Sequence, residues 1–113
     1  MIKIYENGEE LKYKVFTFTG GEVQVKLPKM MHGSTIKIEA LPKSSSDVVK
    51  LLMIKNAIDN HVTYNRIILD LLYLPYARQD RVCDIGEALG IKVMANLINN
   101  MYFHKVILHD PHS

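Results

Sequence analysis

Two of the chain's three arginines, Arg78 and Arg81, fall in one short polar stretch, Arg78-Gln79-Asp80-Arg81. A planar guanidinium grips phosphate oxygens through two parallel bonds, and a glutamine amide can read a base or ribose edge. The stretch is therefore a candidate phosphate site, although a solvated loop whose charges pair among themselves accounts for the same spacing. Further on, Asp110 and His112 are separated by one residue, which in an extended segment points both side chains the same way. Such a pair can orient a divalent ion carrying a nucleotide, Mg²⁺ being partial to oxygen and retaining waters. A capped chain end with a surface histidine is the alternative. His32, His61 and His104 suit surface or turn roles, His109 alternates away from the Asp110 face, and Cys83 has no identifiable base beside it to make it a nucleophile.

These groups need elements to position them. Ile67 to Leu74 is an almost continuous apolar run of strand length ended by Pro75, which predicts a central parallel strand covered on both faces. It leads straight into the arginine stretch. Lys105 to Asp110 returns as a second short apolar strand, and between the two the spacing of Ala88, Ile91, Ala95 and Ile98 predicts a helix over residues 86–101. Upstream, Ser44-Ser45-Ser46-Asp47 is a helix start, Ser44 accepting from the Asp47 amide, for a helix running to about Asn60 with Val48, Leu51, Leu52 and Ile58 on its apolar stripe. Alternating patterns predict strands at Val23 to Leu27 and Ile36 to Ala40, with Gly20-Gly21 as the break before the first of them. Asn7-Gly8 predicts a turn joining a strand at Ile2 to Tyr5 with one at Tyr13 to Phe18, an amino-terminal β-hairpin. The fold class is α/β, a mainly parallel sheet flanked by helices, whose strand ends bring residues 75–81 and 109–113 to one crevice.

Composition sets the limits. With 113 residues, 48% hydrophobic and 23% charged, residues 1–113 make one domain with a real core. Fourteen Lys+Arg against twelve Asp+Glu leave a formal net charge of +2, which announces no nucleic-acid face. A single cysteine excludes an internal disulfide and fits the cytoplasm. No apolar run reaches a membrane span, and the charged first residues do not read as a signal-peptide core.

Pro75-Tyr76-Ala77-Arg78-Gln79-Asp80-Arg81 resembles the ATP-binding stretch of ribose-phosphate pyrophosphokinases, and the match stays in register through Lys92, Ala95-Asn96-Leu97 and Asp110-Pro111-His112-Ser113. Its style is similar to the versions encoded by large bacteriophages. The resemblance implies a phosphoribosyltransferase-like amino-terminal domain of an enzyme that transfers diphosphate from ATP to ribose 5-phosphate by in-line attack, with no covalent nucleophile. It implies that Arg78, Gln79 and Arg81 contact ATP, that Asp80 positions the loop, and that Asp110 and His112 face the Mg²⁺–ATP complex. It also aligns Phe18-Thr19-Gly20-Gly21-Glu22 with a segment that holds the adenine bound in a neighbouring subunit, so a homo-oligomer is expected.

Gly20 departs from that pattern, where an acid or amide is usual, and Gly86 replaces a common arginine. The asparagine–glycine turn stands where the family has its first helix. The family's ribose-phosphate-binding carboxy-terminal domain is not in residues 1–113, so this polypeptide alone is expected to be inactive. A non-catalytic interaction or regulatory subunit of the same fold is the competing reading. A phosphoribosyltransferase relative is a third, for which the acidic, glycine-ended substrate loop is missing.

Overall fold

Asn7 and Gly8 both take positive φ, 48° and 88°, the pair of left-handed residues that a two-residue hairpin turn requires. The computed structural model describes residues 1–109. So tight a turn dictates the next strand: β1 (Ile2–Glu6) pairs antiparallel with β2 (Glu9–Leu11), Glu6 opposite Glu9. The amino-terminal hairpin is present, but its second strand is residues 9–11 rather than the expected 13–18. Glu9 and Glu10 have poor strand propensity, and turn geometry overrides it. The Asn7 side chain also accepts from the Thr35 amide at 3.0 Å, tying the turn to the neighbouring strand of the sheet.

Residues Lys14–Thr17 form β3, which pairs antiparallel with β4 (Val23–Lys26) in a separate two-stranded sheet. Val25 is buried and seats this hairpin on the core, while every residue of β3 is exposed. The hairpin rests on α1 through β4 and turns β3 outward, and the radius of gyration is 15.1 Å against about 13 Å for a compact chain of this length.

The main sheet has the order β2-β1-β5-β6-β7, with β5 (Thr35–Ala40), β6 (Arg66–Leu71) and β7 (Lys105–Leu108) parallel. It is mixed: the β1 pairings are antiparallel and those of β6 are parallel. Helix α1 (Ser45–His61) connects β5 to β6, and α2 (Gly90–Asn99) connects β6 to β7. Both crossovers advance in the same direction, so right-handed connections put both helices on one face.

Ile4, Ile38, Leu69 and their same-face neighbours Ile36, Ala40, Ile67 and Leu71 are buried beneath the helices, against Leu51, Ile54 and Ile58 of α1. The opposite face is only half-buried among the described residues, which corrects the expectation that the 67–74 run is covered on both sides. Its second side chains, Ile68, Asp70 and Leu72, carry a charge that an enclosed strand would exclude. Asp70 spans three strands there, with Lys37 at 3.7 Å and His109 Nε2 at 2.8 Å. The strand also stops at Leu71, level with the end of β5 at Ala40.

The α1 cap is as the serine run predicts: Asp47 N donates to Ser44 Oγ at 3.2 Å, and Asp47 Oδ2 accepts from the Lys43 amide at 2.9 Å. One orphan donor of the helix is thus satisfied, and the Asp47 side chain anchors the residue that precedes the cap. The Lys43 bond, helped by nearby Lys50, holds the Asp47 carboxyl below its usual range against an opposing effect of burial. One charged residue, Lys55, is buried on α1's inner side, bonded to Asp59 at 2.6 Å and lying over the Phe103 ring at 5.6 Å. Of the two apolar pairs Met30-Met31 and Tyr102-Phe103, each is split: Met30 is buried and Phe103 packs on the core, while Met31 and Tyr102 face solvent.

Ser44→Ala is expected to cost about 1 kcal/mol in urea unfolding. The folded pKa of Asp47 lies below the unfolded one, so its stabilisation is complete above the unfolded carboxylate range near pH 4 and is lost as pH falls through the lower folded value. The stability gap between wild type and Asp47→Asn should therefore close in acid.

Candidate functional site

Beyond the carboxyl end of β6 the chain runs irregularly to Gly90 through two consecutive turns, Ala77 N bonding to Leu74 O at 3.3 Å and Gln79 N to Tyr76 O at 2.9 Å. Tyr76 takes a positive φ of 66°, uncommon for a bulky residue. Its hydroxyl lies 3.3 Å from Ser45 Oγ in the first turn of α1. At the other side, Gln79 O accepts from Ile91 N at 3.2 Å. That bond satisfies an orphan amide of α2, whose N-cap Leu89 has no side chain able to do so. Residues 76–79 are thus clamped between the amino ends of both helices, where the macrodipoles favour negative charge.

Gly90 makes this approach possible. A Cβ there would collide with Gln79 Oε1 and lie 3.0 Å from the Tyr76 ring and 3.1 Å from Gln79 Cβ. Nothing in the hydrophobic spacing singled out Gly90; the available signal was a glycine opening a helix that no side chain caps. Lys43 and Ser45 were missed as well. They line, with Tyr73, Tyr76 and Gln79, a polar cleft of about 280 Å³ over the ends of β5 and β6.

Arg78, Gln79 and Arg81 come together with Cys83 and Glu87 around a second cavity of about 380 Å³. Asp80 is exposed, its carboxylate 3.7 Å from Arg81 Nε, a contact weak enough in solvent to exchange for another. The loop after it is folded back on itself, with the Cys83 and Asp84 amides both donating to Glu87 Oε1, at 3.0 and 2.7 Å. Gly86 has φ 93°, a conformation that an arginine would hold only with strain. Helix α2 accordingly begins at Gly90, four residues later than the spacing alone predicts.

Phe18, Gly20 and Glu22 occupy the tip of the β3–β4 hairpin, away from the arginine cavity's lining. Phe18 N bonds to Glu22 O at 2.9 Å and Gly21 N to Phe18 O at 2.8 Å, with Gly21 at φ 90° completing the turn. A Cβ on Gly20 would come within 2.9 Å of Glu22 Oε1, so the missing side chain leaves room for that carboxylate. Phe16 and Phe18 pack edge to face, ring centroids 5.4 Å apart, yet Phe18 remains 54% exposed.

Asp110 and His112 lie outside the described residues. Strand β7 delivers the chain as far as His109 at the same sheet edge, fixed there by the Asp70 bond. Among the described residues no group of three His, Cys, Asp or Glu is placed to hold a metal. No helix among them is long and apolar enough to cross a membrane.

The class these features define is an α/β domain with an arginine-bearing loop at the carboxyl edge of its parallel strands. Residues 3–101 match the family described as the N-terminal domain of ribose phosphate pyrophosphokinase, and the chain belongs to that family. It is 28% identical over 105 residues to a ribose-phosphate pyrophosphokinase of Sulfolobus acidocaldarius, a match covering 91% of this chain and 35% of the relative. A second, from Sulfurisphaera tokodaii, is 31% identical over 104 residues, covering 90% and 35%. The fold is similar to that of phosphoribosylpyrophosphate synthetase from Mycobacterium smegmatis, with a TM-score of 0.73 at 20% identity over 91% of this chain and 35% of the other. The chain thus spans about a third of the length of these relatives.

Replacing Gly90 by Ala sets a gain in helix propensity of up to about 1 kcal/mol against overpacking of about 1–3 kcal/mol. The melting temperature is expected to change little or fall slightly. The side-chain amide resonances of Gln79 should move clearly, because that side chain is the easiest to displace.

Proposed function

We propose that this chain is the ATP-binding half of an enzyme that transfers diphosphate from ATP to ribose 5-phosphate, forming phosphoribosyl pyrophosphate. The observation that carries the reading is the convergence of Arg78, Gln79 and Arg81 on one cavity, with Gln79 shared with the cleft at the amino end of α1. Guanidinium groups and helix dipoles supply the charge a triphosphate needs, and Gln79, lining both this cavity and the polar cleft, can span phosphate and ribose. The chain's work in such a reaction is positioning and charge neutralisation.

Mg²⁺ would arrive on the nucleotide. It takes one or two carboxylates plus substrate phosphates in preference to an all-protein cage, a demand that Asp110 with His112 matches in residue type. We assign Phe18, Gly20 and Glu22 to the adenine of a nucleotide held by a neighbouring copy, a role that the exposed aromatic pair of a projecting hairpin supports. The partners in the complete enzyme are then ATP, ribose 5-phosphate and further copies of the same chain, and the compartment is the cytoplasm.

Gly20 and Gly86 are the observations that favour the competing reading, a non-catalytic interaction or regulatory subunit of the same fold. Coding sequence that continues past Ser113 into a phosphoribosyl-binding loop would remove it.

Titration calorimetry with Mg²⁺–ATP should detect binding that Arg78→Ala weakens about tenfold or more, the loss of charge-assisted bonds. Equal affinity of the two proteins would overturn the assignment. Purified 113-residue chain is expected to make no phosphoribosyl pyrophosphate. Product formation abolished by Arg78→Ala would show that residues 1–113 suffice for the reaction.

A further inference from the structure

Glu87 stands in an unusual place for a carboxylate. It lines the same cavity as Arg78 and Arg81, yet among the described residues its bonds go to backbone: Oε1 takes both the Cys83 amide at 3.0 Å and the Asp84 amide at 2.7 Å. Its own amide closes the turn by donating to Asp84 O at 3.2 Å. Two successive N–H groups converging on one anionic oxygen are the elements of a backbone anion site.

We propose that the amides of Cys83 and Asp84 form a phosphoryl-binding site, with Glu87 as an internal stand-in that a phosphoryl group of the ligand displaces. The proposal rests on the reading of the arginine cavity as a polyphosphate site and names a new part of it. Three features argue for exchange. The carboxylate and the incoming phosphoryl group are both anions, so the two amides pass from one charged acceptor to another without losing a partner. Glu87 is exposed, so its displaced carboxylate returns to water without a burial penalty. Arg78 and Arg81 lie around the same cavity and would attract the newcomer, while the carboxylates of Asp80, held 3.7 Å from Arg81, and of Asp84 oppose it.

Without ligand, Glu87 fixes residues 83–87 in one shape; with ligand, the phosphoryl group takes over the same donors. Affinity is lower than the donors alone would give, because each binding event must first displace Glu87. A simple scaffolding role for Glu87 has the opposite sign, since removing a scaffold loosens the loop and weakens binding.

The test uses inorganic diphosphate, which carries neither adenine nor ribose, titrated into the whole chain and into Glu87→Gln by calorimetry without metal. The glutamine variant, losing the charge that competes, should bind diphosphate about fivefold more tightly. In the wild-type chain, whose folding is not in question, the backbone amide resonances of Cys83 and Asp84 should move during the titration. Equal or weaker binding by Glu87→Gln, stationary Cys83 and Asp84 amides, or no diphosphate binding by either protein would each overturn the proposal. A parallel Mg²⁺–ATP titration separates the two ideas. ATP binding together with any of those results would leave the proposed function standing, whereas the expected diphosphate behaviour without ATP binding would support the anion site and remove the nucleotide.

Discussion

Parallel pairing of β5, β6 and β7 is the constraint on which the rest of the molecule depends. Parallel strands must be joined by crossovers, and two right-handed crossovers in one direction put α1 and α2 side by side with their amino ends over the same sheet edge. The carboxyl ends of β5, β6 and β7 all open toward that edge, as do two helix dipoles. A loop leaving β6 has little choice but to pass between them, and the bonds from Tyr76 to Ser45 and from Ile91 to Gln79 show how closely it does so. On the far face Asp70 reaches diagonally to Lys37 of β5 and to His109 just past β7.

The two ends of the sheet differ in how their polar groups are partnered. At the amino edge, Glu6 Oε2 accepts from the Met31 amide at 2.9 Å and from Ser34 Oγ at 2.8 Å, while Asn65 Nδ2 donates to Met31 O at 2.9 Å and Ser34 Oγ at 2.8 Å. Glu6, Ser34 and Asn65 are all buried, and their shared bonds tie the end of β1 to the segments that lead into β5 and β6. Asn65 Oδ1 alone has no partner in it. The carboxyl edge is its opposite: Arg78, Gln79, Asp80 and Arg81 are exposed.

Much of this was legible in the amino-acid sequence where a local rule agreed with the tertiary demand. The Ser44 cap, the apolar runs of β5, β6 and β7 and the stripe of α1 each carry their own signal, and the 75–81 motif pointed to both the family and the loop. The hairpin partner was hidden because the asparagine–glycine turn selected glutamates that propensity disfavours. Single-face burial of β6 was hidden because Ile68 and Leu72 are apolar on the side that the helices leave open. Gly90 and Glu87 were invisible for a different reason. Their roles depend on which residues the folded chain brings near them, and no periodicity encodes that.

If the carboxyl edge is the working edge, a ligand must find it without guidance from any single residue. A crystal structure of the chain with a non-hydrolysable Mg²⁺–ATP analogue tests this most directly. Polyphosphate is expected between Arg78 and Arg81, beside the amino ends of α1 and α2. A nucleotide seated instead on the open sheet face around Asp70, or at the amino edge near Glu6, would contradict that placement.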